Sequence, residues 1–180
     1  MPHGLSLRIA EDRDDHAIAR IYGHYVRHST ATFELEAPDE FEMERRRMII
    51  ADAGLPYLVA ERDGAILGFA YAGPYRARPA YRFTVENSIY LDPAMRGQGV
   101  GSVLLARLIE DCKRAGKRQM VAVVGDSANT ASIRLHTRFG FREVGVLRSV
   151  GRKFDRWLDT VLLQRELSQP RGEGLQFPPQ

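Results

Sequence analysis

The stretch Ile89-Tyr90-Leu91-Asp92-Pro93-Ala94-Met95-Arg96-Gly97-Gln98-Gly99-Val100-Gly101-Ser102 carries the most specific chemistry in the chain. An apolar strand pattern stops at Pro93. A turn with glycine at every second position then opens a helix pattern that runs from Gly99 to Ala115. Glycine lets the backbone bend sharply and lets a ligand approach it closely. The unpaired N–H groups of such a turn, together with the helix dipole, make a site for phosphate. A Walker A loop needs a lysine after its last glycine, and none is present here. The dinucleotide fingerprint needs glycine at position 102, where the chain has Ser102. What remains is Arg96-x-x-Gly99-x-Gly101.

Other reactive residues surround this turn. Glu86 is one anion in an otherwise uncharged strand pattern, Val85-Glu86-Asn87-Ser88-Ile89-Tyr90. Alternation puts Glu86, Ser88 and Tyr90 on one face. Burial there would raise the carboxyl pKa toward general-base values. The plain alternative is a solvated carboxylate paired with Arg82. Asn129 and Ser132 open a later helix, and His136 falls four residues after Ser132 on the same face. A histidine can give or take a proton near neutrality. A satisfied core histidine is the plain alternative. Arg76, Arg78 and Tyr81 lie on a polar loop just before the Glu86 strand. Guanidinium groups hold carboxylates bidentately.

The elements that must position these groups can be read from periodicity and breakers. Leu5 to Ala10 reads as a strand, and Asp12 as the cap of a helix with Ile18, Ile21, Tyr22 and Tyr25 on its apolar face. A second helix starts at Pro38 or Asp39 and stops at Gly54. Its Arg45-Arg46-Arg47 run reads as a solvated face. Strands follow over Tyr57–Glu61 and Ala65–Tyr75, joined by the Asp63-Gly64 turn signal. Thr84 to Leu91 is the next strand. The helix after the glycine turn shows an apolar stripe of Val100, Val103, Leu104, Leu108 and Cys112. Met120 to Val124 is an apolar strand, Asn129 to Phe139 a helix, and Phe141–Val150 and Leu158–Leu167 the last strands. Trp157 and Asp159 read as structural, a sheet aromatic and a turn or edge residue. The order β-α-α-β-β-β-α-β-α-β-β predicts an α+β fold: a mixed, mostly antiparallel sheet with a parallel pair near its centre and helices on both faces. One domain spans residues 1–167, and 168–180 lack periodicity and read as a flexible tail.

Composition narrows the class. The chain has 180 residues, with 26 Lys+Arg against 23 Asp+Glu and interspersed signs. This argues against a nucleic-acid binder, which concentrates positive charge. No apolar run is long enough to span a bilayer, and no signal-peptide pattern opens the chain. One cysteine, Cys112, excludes an internal disulfide, and it reads as a core thiol. His24 and His28 share a helix face without a third ligand, so no metal is expected. A cytoplasmic protein is the expectation.

The Arg96-x-x-Gly99-x-Gly101 turn, in its strand–Pro–turn–helix setting, resembles the signature of GCN5-related N-acetyltransferases (GNAT). That resemblance implies coenzyme A, its pyrophosphate cradled by Arg96, Gly97, Gln98, Gly99, Val100, Gly101 and Ser102. It also implies splayed parallel strands holding the pantetheine arm, with Ile89, Tyr90 and Leu91 beside the thioester and Asn129 and Ser132 on the arm. Narrower stretches are similar to the phosphinothricin and methionine-sulfone acetyltransferase branch: Ser29-Thr30-Ala31-Thr32-Phe33, Ala72-Gly73-Pro74-Tyr75-Arg76-Ala77-Arg78, Thr84-Val85-Glu86, Arg134-Leu135-His136 and Arg156-Trp157-Leu158-Asp159-Thr160.

The branch resemblance implies N-acetylation of a small amino-acid-like amine by acetyl-CoA in a ternary complex, by a homodimer without metal. Glu86 is then the base and His136 the acid that meets the leaving thiolate. Arg78, with Tyr81 and Arg76, anchors the acceptor carboxylate, Phe33 lines the acceptor pocket, and Lys153 contributes. At Gly151-Arg152-Lys153-Phe154 the chain has Arg152 where the family usually has an aromatic, which puts acceptor preference in question. Another amine, such as a protein N-terminus or an aminoglycoside, and a non-catalytic acyl-CoA sensor are the alternatives. The basic acceptor loop disfavours a polycationic aminoglycoside.

Overall fold

The computed structural model describes residues 4–167, so the expected tail lies outside the described residues. The elements follow the expected order: β1 (Ser6–Ile9), α1 (Asp15–His28), α2 (Glu40–Asp52), β2 (Tyr57–Arg62), β3 (Ala65–Pro74), β4 (Thr84–Leu91), α3 (Val100–Arg114), β5 (Gln119–Gly125), α4 (Thr130–Arg138), β6 (Arg142–Lys153) and β7 (Arg156–Glu166). They build one sheet, β1-β2-β3-β4-β5-β7-β6, antiparallel except for the parallel neighbours β4 and β5.

Alternation along β4 assigns the helices to faces. Tyr22 and Tyr25 of α1 pack edge-on against Tyr90. Gly101 of α3 and His136 of α4 instead meet Leu91 and Asn87, which point the opposite way. The core therefore lies in two layers, one on each side of the sheet. In α3, Val100, Leu104, Leu108 and Cys112 are fully buried, while Val103 is half-buried. Burial pushes the Cys112 thiol up to about 12, as fits a core residue. The β2–β3 turn places Asp63 and Gly64 both at positive φ (51° and 77°). That is the primed hairpin turn whose twist matches its strands.

Four local readings need correction. Asp12 does not cap α1: Asp12–Asp14 form a 3-10 turn, and the helix starts at Asp15. The Glu11 N–H donates to the Asp14 carboxylate at 2.8 Å, and Arg8 clamps the same carboxylate at 2.6 and 2.8 Å. The triple arginine is not one solvated face. Arg45 is exposed and held by Glu42, but Arg46 also reaches Glu34, and Arg47 is only 8% exposed, donating to Asp15 and Asp12. Its acidic partners lie on another element, 32 and 35 residues away, so local spacing does not reveal them. Trp157 is 67% exposed rather than packed into the sheet. Arg82 does not pair with Glu86; it donates to the Pro79 carbonyl and lies over the Phe83 ring. Asp159 does serve an irregular stretch, accepting from the Ser149 N–H (3.0 Å) and Arg148 (2.7 Å) where the β6 register shifts.

Candidate active site

The parallel ladder between β4 and β5 is short. It pairs Thr84 with Gln119 through Asn87 with Ala122 and then stops. Beyond that point β4 stays with β3 and β5 stays with β7. A cleft of about 720 Å³ opens between the parted strands, lined by Asn87–Leu91 on one side and Ala122–Asp126 on the other. The expected splayed pair is thus present. Thr84 and Asp92 share hydrogen bonds with β3. Antiparallel alternation therefore turns the backbone groups of Ile89 and Leu91 the other way, toward the cleft. The Leu91 carbonyl accepts from the Tyr25 hydroxyl at 2.8 Å.

The glycine turn floors the open end. Gly97 and Gly99 have φ of 77° and 82°, the left-handed region where a side chain is strained. The Ser102 and Val103 N–H groups turn back onto the Gly99 carbonyl. Among the described residues, the N–H groups of Gly97, Gly99, Val100 and Gly101 have no hydrogen-bond partner. These are the donors that an anion would take up. Arg96, Gly97, Gly99, Gly101 and Ser102 line the cleft, and the Arg96 guanidinium lies over Tyr25, 5.4 Å from its ring centre. The Gln98 side chain turns away to donate to the Ala94 carbonyl at 3.0 Å.

Asn129 caps α4, its side chain accepting from the Ser132 N–H at 3.3 Å. One turn on, His136 is buried against Phe141. Both its ring nitrogens face oxygens: Nε2 is 2.9 Å from Asn87 Oδ1, and Nδ1 is 2.8 Å from the Ser132 carbonyl. A neutral imidazole donates to only one of them. Burial lowers the His136 pKa, and the Ser132 carbonyl works in the opposite direction by favouring the protonated ring.

Glu86 points to the opposite face of β4 from Asn87, and so away from His136. It is half-buried, and burial raises its pKa against the pull of Arg76. Sequence reasoning did not foresee this split: the two ionisable candidates flank the sheet instead of meeting. Arg76, Arg78 and Tyr81 are all exposed on the loop between β3 and β4, with Tyr75 edge-on to Tyr81 at 5.7 Å and Arg76 over Tyr75 at 5.1 Å. Phe33 lies across Gly125 and Gly151; a Cβ on Gly151 would fall 2.3 Å from its ring. Lys153 is buried, and its Nζ donates to the Thr32 carbonyl at 2.8 Å. Burial lowers its pKa, opposed by Glu34. Its amine therefore holds the loop that carries Phe33. Sequence reasoning missed Asn87, Tyr25 and Glu34. Asn87 left a signal, since an amide in the middle of a buried strand needs partners.

The acetyltransferase (GNAT) family model matches residues 18–141, more than half of the chain. The chain belongs to the GNAT acetyltransferase family. A phosphinothricin N-acetyltransferase of Alcaligenes faecalis is 56% identical over 163 residues, 91% of this chain and 83% of that protein. An L-methionine sulfoximine/L-methionine sulfone acetyltransferase of Salmonella typhimurium is 38% identical over 168 residues, 92% of this chain and 96% of that one. The crystal structure of a GNAT superfamily phosphinothricin acetyltransferase from Sinorhizobium meliloti, in complex with acetyl-CoA, is 44% identical. It superposes with a TM-score of 0.87, covering 91% of this chain and 88% of that one. The GNAT fold expected from the glycine turn and the element order is therefore the fold of this chain, and its relatives are those of the expected branch. The parted strands and the donor-rich turn line one and the same cleft.

Proposed function

We propose that this GNAT acetyltransferase moves acetyl from acetyl-CoA to the α-amine of a small amino-acid-like acceptor of the phosphinothricin, methionine sulfone or methionine sulfoximine type. The carrying observation is the cleft where β4 and β5 part, with unpaired turn N–H groups at its floor. The names of the relatives supply the acceptor class. In this reading the turn from Arg96 to Ser102 holds the pyrophosphate. Asn129 and Ser132 attend the pantetheine arm, and the cleft-facing N–H groups of Ile89 and Leu91, flanking Tyr90, polarise the thioester carbonyl.

The acceptor enters from the α1/α2 face. An ammonium has no lone pair, so the amine must lose a proton before it attacks. Glu86 is the base, its raised pKa bringing it closer to the proton it takes. Arg78, with Arg76 and Tyr81, holds the carboxylate, and Phe33 walls the pocket, supported by Lys153. Attack forms the C–N bond, collapse breaks the C–S bond, and the nitrogen releases its second proton to water as the amide forms. His136, which lines the cleft, is the acid that gives the leaving thiolate its proton in this reading. No metal takes part.

The protein works as a cytoplasmic homodimer in this reading, without nucleic acid or membrane as partner. The exposed Val144, Leu147, Val150, Phe154 and Trp157 on the last hairpin support self-association. The test is thiol release from acetyl-CoA across phosphinothricin, methionine sulfone, methionine sulfoximine, ordinary amino acids, an aminoglycoside and N-terminal peptides. Activity confined to the first three is expected. Activity only on peptides or aminoglycosides would remove the acceptor assignment, and tight acetyl-CoA binding with no release would indicate a sensor.

A further inference from the structure

Three phosphates distinguish coenzyme A from shorter thioesters: the two of the pyrophosphate and a monoester on the ribose 3′ carbon. A phosphate monoester carries between one and two negative charges near neutrality. The glycine turn offers main-chain donors for the first two, which leaves the third to be accounted for. We infer that Arg134 and Arg138 of α4 form a subsite for this 3′-phosphate. The inference rests on the acetyl-CoA reading above and extends it to the nucleotide end.

Several observations converge on these two side chains. They lie four residues apart on α4, so their guanidinium groups project from one helix face. Both line the cleft. Between them, Leu135 packs against Gly101: a Cβ on that glycine would sit 3.5 Å from Leu135 Cδ2. This contact lays α4 alongside the first turn of α3 and brings both arginines beside the phosphate turn. Both are exposed, and among the described residues neither takes part in an ion pair. Many of the chain's other arginines do, including Arg8, Arg46, Arg47, Arg107 and Arg148.

The cleft lining also holds no competing anion for them. Its one carboxylate, Asp126, is occupied by the Thr30 hydroxyl at 3.0 Å, the Ala128 N–H at 3.0 Å and Arg156 at 3.6 Å. Two forked, permanently charged donors facing an open groove match a tetrahedral dianion better than they match solvent. Arg96 is less suited to that task, since its guanidinium is already laid over the Tyr25 ring.

The test removes the phosphate and the arginines in turn. Binding of acetyl-CoA and of 3′-dephospho-acetyl-CoA is measured by calorimetry for the wild-type protein and for the double variant Arg134→Gln/Arg138→Gln. The wild-type protein is expected to prefer acetyl-CoA by about tenfold or more, the scale of charge-assisted hydrogen bonds. The double variant should bind both ligands equally, with the affinity that the wild type has for the dephospho form. Unchanged dephospho binding also certifies that the variant is folded. A double variant that keeps the wild-type preference, or a wild type that has none, overturns the subsite while leaving the coenzyme reading intact. A wild type that binds neither ligand overturns the coenzyme reading and the subsite with it.

Discussion

Asn87 and His136 are joined across 2.9 Å, from Oδ1 to Nε2, at the last paired rung of the β4–β5 ladder. The other end of the Asn87 amide donates to the Val121 carbonyl at 3.0 Å. One buried side chain thus closes the ladder and anchors α4 to it. Asn87→Ala leaves a buried carbonyl and a buried imidazole nitrogen without their partner. The expected cost is about 1–3 kcal/mol of unfolding free energy, read by denaturant titration. Wild-type stability in this variant would remove the anchoring role.

Glu86→Gln tests the base. Turnover should fall by about a hundredfold or more, while acetyl-CoA affinity stays unchanged, because Glu86 is not among the residues that line the cleft. The pH profile carries a second signature. Burial raises the Glu86 pKa above the ordinary glutamate value, with Arg76 opposing. A base works when deprotonated, so kcat/KM should fall as pH drops through this raised pKa. In the Gln variant that acid limb should be absent.

Gly151→Ala tests the acceptor wall. A Cβ there meets Phe33 at 2.3 Å, so the ring or the Thr32–Phe33 loop must move. Overpacking of this kind costs about 1–3 kcal/mol. The expected kinetic signature is a raised KM for the amine with acetyl-CoA binding unaffected. An unchanged amine KM would show that Phe33 does not shape the pocket.

The Arg8–Asp14 clamp predicts acid sensitivity. Burial pushes the Asp14 pKa up, but hydrogen bonds from Arg8 and the Glu11 N–H outweigh it and leave the carboxyl below its ordinary value. A depressed pKa contributes stability that is present above the unfolded-state value and is lost as pH falls through the folded one. Stability should therefore decline below about pH 4, the unperturbed aspartate range, and decline less steeply in Asp14→Asn. Parallel slopes for the two proteins, in melts across that window, would assign the acid loss elsewhere.

Much of this architecture was legible because its signals are local. The glycine turn, the Asp63-Gly64 hairpin and the α3 stripe each declare themselves within a few residues, through φ preference or helical period. What stayed hidden depends on partners distant in sequence. Arg47 looks like its neighbours until Asp15 of another helix arrives beside it. Strand alternation does separate Glu86 from Asn87, but only the docking of α4 decides that His136 joins Asn87. Trp157 sits in a strand pattern, and nothing nearby in sequence indicates that its side of the hairpin is left open.

The early end of the β4–β5 ladder has a consequence for the protein at rest. Proteins usually guard strand edges at the margin of a sheet, where another chain can reach them. Here two such edges face each other at the centre, across a gap too wide for them to pair with one another. An extended ligand with amide groups of its own can serve as the missing rung on either side. On the proposed reading, bound acetyl-CoA supplies those missing bonds and thereby stabilises the fold by mass action.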